Sequence, residues 1–219
     1  YEHDRSQERK AKAALREKWG QWQELVRLMP DTHLKLITQR LAHQPDDFRA
    51  AFSLIPFFLR NMYLSAYQSH LWNRMLAAWL MSTITPAELV QIQQKYQQLP
   101  MPGNVDKARL EEWKSLTIPL PSSRIDVPAR HPAVLAITKV LEQEKLAMRD
   151  IKLKHFREPF FSKGDRAAYY VPVDFSHHVG WDKLHKGHRK LVLKFTLPRG
   201  SYATLLVKRI TTATPYTAS

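Results

Sequence analysis

The segment Met62–Met81 constrains the fold more than any other part of the sequence, because it is apolar on almost every side of a helix. Its polar side chains fall into one narrow stripe at helical spacing: Ser65, Gln68, Ser69 and Asn73. A helix of this kind lies inside a fold, where polar side chains need hydrogen-bond partners. Backbone groups of the same protein are the more frequent partners, and a ligand is the alternative.

Amphipathic spacing and start signals predict further helices on both sides of this segment. An aspartate of the Pro45–Asp47 segment is suited to cap one of them, and Pro86 suits the first turn of another. The many prolines between 99 and 132 favour loops around a single short helix. The predicted helices cover 5–29, 33–43, a stretch after Asp47, 85–98, 106–115 and a stretch after His131.

The hydrophobic period changes after about residue 155. Ala167–Val173 is predicted to be a strand, 176–190 a polar His/Lys/Gly loop, and Lys190–Leu197 a strand with clear alternation. Pro198–Gly200 then turns the chain, and Ser201 is suited to cap a helix, which the spacing favours over a strand. The fold class expected is α+β, with a mostly helical module followed by a smaller segment of strands and one helix.

The charge of the chain is strongly positive. Thirty-four Lys and Arg against twenty Asp and Glu give a net charge of +14, and residues 150–219 hold 13 of the cations and 5 of the acids. This excess predicts a polyanionic partner, either nucleic acid or an anionic membrane surface. No apolar run reaches the roughly 18 residues that span a bilayer. The absence of cysteine excludes disulfides and thiolate chemistry and fits a reducing, cytoplasmic compartment.

Three segments carry a resemblance to a known family. Asn61–Asn73 resembles an "LSAxxSxLFN" helix, and Phe161–Ala168 is similar to a "GxxR" segment that leads into a strand. Leu193–Thr204 is close to the long "F-x-LPxGS[FY]AT" motif. The order and spacing of all three resemble the C-terminal part of the TruD family of tRNA pseudouridine synthases. The opening Tyr1–Trp22 also resembles the helical insertion of longer bacterial members.

The resemblance implies a catalytic domain interrupted by a helical insertion. Residues 1–157 correspond to the TRUD-type insertion domain, and 158–219 to the returning C-terminal segment of the catalytic domain. The activity implied is cofactor-free isomerisation of a uridine to pseudouridine in tRNA, usually uridine 13 in the D-arm. The partners implied are tRNA or another structured RNA, with no membrane and no metal.

The family's catalytic aspartate has no counterpart in the sequence. The family places it in "GxKDxxAxT", followed by "NYFGxQRFG", and neither motif occurs. Lys163–Asp165 has similar letters, but it lies in the "GxxR" segment. No catalytic residue is therefore expected in this chain. A chain that begins at Tyr1 rather than Met is expected to be a fragment, inactive by itself, of a protein whose nucleophile lies upstream.

The site residues expected here hold RNA and support the base pocket. The resemblance implies a pocket for a flipped-out base that includes Phe195, Gly200, Ser201 and Tyr202. Core packing is the alternative for Phe195 and Tyr202. Candidate phosphate contacts, for which ordinary surface positions are the alternative, are Arg166, Lys194, Arg199, Lys208 and Arg209.

Two other interpretations of the basic residues have less support. His177, His178, His185 and His188 lack the i, i+4 spacing and carboxylate partner of a metal site, so an RNA-facing loop is favoured. The Arg5–Lys18 run is too weakly amphipathic for a membrane-surface helix. The rival to an enzyme fragment is a non-catalytic basic RNA-binding module. The sequence upstream of Tyr1 separates the two hypotheses.

Overall fold

The computed structural model describes residues 6–93, 98–154, 156, 160–198 and 200–212. Its mixture of helices and antiparallel strands confirms the α+β class. The helices are α1 (Ser6–Glu17), α2 (Trp22–Leu28), α3 (His33–His43), α4 (Phe48–Ser53), α5 (Phe57–Thr83), α6 (Lys107–Trp113), α7 (Val134–Gln143) and α8 (Ala203–Thr211). The strands are β1 (Leu89–Gln93), β2 (Gln98–Pro102), β3 (Thr117–Pro119), β4 (Asp165–Ala167), β5 (Val173–Trp181) and β6 (Arg189–Thr196).

Local capping signals set several helix boundaries. The α3 helix has the predicted bounds, and Asp47 caps α4 by accepting a hydrogen bond from the Ala50 amide at 3.1 Å. The single helix predicted over 5–29 is wrong, because Gly20 lies between α1 and α2 with φ of +92°. That left-handed conformation interrupts a helix, and glycine adopts it without the steric penalty of a side chain.

The helix predicted over 85–98 is also wrong. Pro86 begins only one 3-10 turn, Pro86–Glu88, and β1 follows it and pairs with β2. Pro100 faces Gln91 and Pro102 faces Leu89 in this antiparallel pair. Both prolines fall on the same alternate positions, where the backbone points away from β1, so their missing amides remove no hydrogen bond from the pair.

The chain divides into two compact units, Tyr1–Tyr67 with Leu153–Phe160, and Gln68–Lys152 with Phe161–Ser219. The first unit packs α1 to α4 around a small apolar core. The buried side chains of this core are Ala11, Trp22, Leu25, Met29, Leu41 and Ala51. The proposed family domains, 1–157 and 158–219, describe a different division of the chain and stay a prediction.

The second unit has a larger core between α5, α6 and α7. Trp79 and Trp113 meet edge to face with ring centroids 5.2 Å apart, and Arg74 of α5 pairs with Glu144 beyond the end of α7. The buried members of this core are Leu71, Trp72, Met75, Trp79, Leu80, Ile84, Trp113, Ile118, Ala133, Ala136, Ile137, Val140, Leu141 and Ile151. The prediction that the Met62–Met81 helix lies inside the fold therefore holds for the part of α5 from Leu71 onward.

The strands β5 and β6 form a two-stranded antiparallel ribbon that is mostly exposed. The prediction of β6 is confirmed. The loop predicted over 176–190 is wrong at its start, because β5 reaches Trp181 and only 182–188 connects the two strands. The strand predicted over 167–173 is likewise wrong, since β4 ends at Ala167 and β5 begins at Val173. None of the helices in the described ranges is long and apolar enough to cross a membrane.

Candidate substrate cleft

Two side chains of α5 hold the backbone of strand β3 and of the segments that flank β3 and β4. The buried amide of Gln68 donates to the carbonyl of Pro121 at 2.9 Å and to that of Ser162 at 2.8 Å. One turn later the indole N–H of Trp72 donates to the carbonyl of Ile118 at 2.9 Å. Backbone groups therefore satisfy Gln68, as the structural interpretation of the polar stripe requires.

The other members of the stripe have different surroundings. Ser65 is exposed and Ser69 is half-buried. Asn73 is half-buried and lines a cleft of about 480 Å³. Of the four side chains, Asn73 is thus the one placed toward a cavity.

The cleft is walled mainly by aromatic and apolar side chains. They come from α5, β2 and the residues after it, α6, the stretch 166–172, and the turn that leads into α8. Its aromatic members are Trp72, Trp79, Trp113, Tyr169, Tyr170 and Tyr202. Such a lining, with few charged groups, suits a flat and partly apolar ligand.

Arg166 gives the cleft a positive charge. Its backbone lies in β4 opposite Ile118, and its guanidinium carbon lies 5.0 Å from the centroid of the Trp72 ring. A cation over an aromatic face is attracted by the ring quadrupole. The same Trp72 therefore holds β3 through its N–H and orients Arg166 through its ring.

The turn into α8 is joined to the cleft wall by a phenol. The hydroxyl of Tyr170 donates to the carbonyl of Tyr202 at 3.3 Å. Burial raises the pKa of Tyr170, and donation to a carbonyl oxygen also favours the protonated phenol. The phenol therefore stays protonated at neutral pH and can continue to donate to the turn.

The predicted pocket residues separate into two groups. Gly200, Ser201 and Tyr202 line the cleft. Phe195 is not among the lining residues; its half-buried ring lies in the ribbon, 6.3 Å from the centroid of Phe175 and nearly parallel to it. The helix cap expected at Ser201 is wrong, since α8 begins at Ala203 with Tyr202 in the capping position. The Ser201 amide donates to the carbonyl of Pro198 at 3.2 Å.

The predicted phosphate contacts also lie in different surroundings. Arg209 lines the cleft, but it donates to the carbonyls of Pro102 and Gly103, each at 3.1 Å. Lys208 donates to the carbonyl of Gln93 at 3.0 Å. Both cations therefore join α8 to the β1–β2 hairpin. Lys194 is exposed on β6, and Arg199 lies outside the described residues.

The four histidines do not form one cluster, although the rings of His185 and His188 meet edge to face with centroids 6.3 Å apart. His177 and His178 lie in β5, while His185 and His188 lie in the loop between the strands. Within the described ranges, no group of three His, Asp or Glu side chains is arranged to hold a metal ion.

Several cleft residues were missed in the sequence. The sequence patterns place Tyr169 and Tyr170 in a strand, Trp113 in a short helix and Pro102 in a loop, and they indicate no functional role for these residues. These residues meet only because β3 pairs with β4 and α8 docks on β2. The signal that the sequence offers is two adjacent tyrosines followed, some thirty residues later, by a Gly-Ser-Tyr turn. No regular spacing relates these two segments, so the sequence alone does not predict their contact.

The fold of the chain is similar to that of a solved structure. A crystal structure titled putative tRNA pseudouridine synthase D (TruD), from Methanosarcina mazei, matches with a TM-score of 0.62 at 21% identity. The match covers 94% of this chain and 50% of that one. This chain therefore has the fold of half of that structure.

Sequence comparison then gives the family. The family described as tRNA pseudouridine synthase D (TruD) matches residues 1–210, so the chain belongs to the TruD family. It is 27% identical to "tRNA pseudouridine synthase D" of Aquifex aeolicus over 93% of the chain and 50% of that protein. It is 28% identical to a "Probable tRNA pseudouridine synthase D" of Methanosarcina acetivorans over 80% of the chain and 43% of that protein. The chain therefore spans about half the length of the curated relatives it matches.

Proposed function

We propose that the protein containing this chain is a cytoplasmic tRNA pseudouridine synthase that isomerises a uridine in the D-arm through an aspartate outside the chain. The observation that carries this proposal is the aromatic cleft of the second unit. Three residues of the family's longest motif, Gly200 to Tyr202, line it, and membership of the TruD family supplies the reaction.

The chemistry requires a pocket for one base removed from its stack. The bond between the ribose and N1 of uracil breaks, the base turns, and C5 bonds to the ribose; the C5 proton is lost to solvent and N1 takes up a proton. A free base must remain in place during that turn, held by aromatic faces and by groups along its edge. Tyr202, Asn73 and Arg166 supply these kinds of group within the cleft. The role of Phe195 in the same pocket stays a prediction.

The domain division is part of the same proposal. Residues 1–157 would be the TRUD-type insertion and 158–219 the end of the catalytic domain. One face of the β5–β6 ribbon supports this assignment, because Val179, Trp181 and Leu191 on it are 46%, 70% and 48% exposed. Such an apolar surface calls for a covering layer. The rest of the catalytic domain is the layer we propose.

The decisive experiment uses the product of the complete reading frame. Cytoplasmic tRNA transcripts are incubated with three proteins in parallel. These are the full product, the same product with the Asp of its upstream motif changed to Asn, and the 219-residue chain alone. Pseudouridine is mapped by carbodiimide adducts that stop reverse transcription. We expect one stop in the D-arm, made only by the unchanged full product. A full product that binds tRNA but leaves every uridine unmodified would favour the rival, a non-catalytic RNA-binding module.

The cleft is tested within the same full product. Stacking of a base on an aromatic side chain is worth roughly 1–3 kcal/mol, so Tyr202→Ala should lower kcat/KM by roughly 5- to 150-fold by this stacking term. Val207→Ala is the matched control, because Val207 is exposed on the same helix and is not among the cleft residues. Equal effects of the two changes would show that the cleft does not hold the base.

A further inference from the structure

The β5–β6 ribbon has two chemically different faces. The register places His177 opposite Leu193, Val179 opposite Leu191, and Trp181 opposite Arg189, so these side chains share one face that is mainly apolar. The other face carries the alternate pairs. Its members are Ser176, His178, Gly180, Lys190, Val192 and Lys194, and we call it the basic face.

The basic face is exposed and contains no acidic side chain. His178, Lys190, Val192 and Lys194 are all exposed. Gly180 lies directly opposite Lys190, and a Cβ atom there would meet the His178 ring at 3.4 Å and the Lys190 stem at 4.0 Å. The bare backbone thus lets His178 and Lys190 lie side by side. Alternate residues of a strand project roughly 6.6–6.8 Å apart, so the lysines and the histidine form a row.

The loop at the end of the ribbon extends this row. Asp182 organises the loop: its carboxylate accepts from the Leu184 amide at 2.8 Å and contacts the His185 ring at 3.0 Å. Its amide donates to the carbonyl of His188 at 2.9 Å. The hydrogen bonds to the carboxylate, first that from the Leu184 amide and then that with the His185 ring, lower the pKa of Asp182. The charge of Lys190 lowers it further. The acid therefore serves the loop, while Lys183 and Lys186 remain exposed at its tip.

We propose that the basic face of the ribbon, together with Lys183 and Lys186, is the surface on which the sugar–phosphate backbone of the tRNA docks. This inference rests on the proposed function and places the RNA contact outside the cleft. It joins Lys194 and the RNA-facing loop expected from the sequence with Lys183, Lys186 and Lys190 on one surface. Lysines on a rigid ribbon act as point charges toward phosphates and read no bases. Lys208 and Arg209, by contrast, donate to carbonyls of the protein itself.

The test measures binding of the product of the complete reading frame, unchanged and with variants in this chain, to a tRNA transcript at several salt concentrations. The variants are Lys190→Gln/Lys194→Gln and Lys183→Gln/Lys186→Gln. The matched control is Lys107→Gln/Lys139→Gln, which removes the same net charge from exposed positions on α6 and α7. Each lost phosphate contact should reduce the slope of log K against log salt by about 0.7–0.9. Two lost contacts reduce the slope by about 1.4–1.8, so relative to 1 M salt each ribbon variant should bind about 25- to 60-fold more weakly at 0.1 M salt.

The control should bind within about twofold of the unchanged product and keep its salt slope, as expected for charges that touch no phosphate. Equal weakening in control and ribbon variants would overturn the inference, because net charge alone would then explain the binding. Unchanged binding in both ribbon variants, or no salt-dependent binding by the unchanged product, would overturn it too. Pseudouridine formation by the full product decides the proposed function separately, so the two failures are distinguishable. Thermal unfolding of each variant verifies that the fold is retained.

Discussion

Replacing Gln68 by methionine should destabilise the second unit more than any single surface change. Methionine keeps the length of the side chain but leaves the carbonyls of Pro121 and Ser162 without their donor. An unpaired buried acceptor costs about 1–3 kcal/mol. Because Ser162 is exposed and its carbonyl is nearer to water, we expect a loss of about 2–4 kcal/mol in the free energy of unfolding.

Urea unfolding followed by tryptophan fluorescence is a suitable assay, because Trp72, Trp79 and Trp113 all lie in the core of this unit. Gln91→Met is the matched control; Gln91 is exposed on β1, and we expect a change within about 0.5 kcal/mol. If the two variants were equally stable, the hydrogen bonds of Gln68 would contribute nothing measurable, and its role in holding the segments around Pro121 and Ser162 would be refuted.

A second variant at the same position predicts how the loss of stability changes with pH. In Gln68→Glu the new carboxylate would face two carbonyl oxygens, which disfavours its charged form and raises its folded pKa above the unfolded value of about 4.3. A group with a raised folded pKa stabilises the fold below the unfolded pKa and loses that contribution as pH rises through the folded pKa. The Glu variant should therefore approach the Met variant in stability near pH 4 and fall below it at pH 7. A difference between the two that does not vary with pH would contradict this.

Three further changes test other contacts. Asp47→Ala removes the pair with Arg40 and the cap of α4. Since the hydrogen bonds from Arg40 and from the Ala50 amide lower the pKa of Asp47 below its ordinary 3.8, the loss seen in thermal melts at pH 7 should vanish as pH falls through that lowered pKa. Gly103→Ala should lower the melting temperature, because the new Cβ would lie 3.0 Å from the carbonyl oxygen of Glu88. Trp72→Phe deletes the donor to the carbonyl of Ile118 and should cost about 1–3 kcal/mol in urea unfolding. Gly103→Ala serves as its comparison, because that change leaves this hydrogen bond intact.

Local signals predicted much of the helical part of the fold. The α3 helix, the Asp47 cap, the apolar α5 helix and the α8 helix each depend on side chains within one or two turns, and strand β6 on its own alternation. One-residue effects at boundaries were harder to predict. Gly20 divides 5–29 into two helices, although the apolar spacing continues across it.

Strands whose partners lie elsewhere could not be predicted from their own letters. Leu89–Gln93 follows a good helix start, and its partner β2 is rich in proline, which ordinarily excludes a strand. Only the register shows that both prolines occupy positions whose backbone faces away from β1. In β5 the polar His177 and His178 concealed the alternation that Val179 and Trp181 would otherwise have shown.

The cleft could be predicted only in part for the same reason. Gly200 to Tyr202 were identified through a family motif, and Tyr170 and Trp113 join them through contacts between distant segments. Charge predicted Lys208 and Arg209 as phosphate contacts, but guanidinium and ammonium groups also donate to backbone carbonyls of their own chain. Sequence spacing does not distinguish these two partners.

The two prolines of β2 also protect the outer edge of that strand from pairing with a foreign strand. An outer strand edge normally offers amides to which a foreign strand can pair, and prolines at alternate positions remove those donors under every solution condition. The carbonyl of Pro102 on that side is occupied by Arg209. The β5–β6 ribbon, by contrast, carries lysines, whose repulsion salt screens. Of these two sheets, the ribbon is therefore the one whose resistance to unwanted strand pairing should weaken as ionic strength rises.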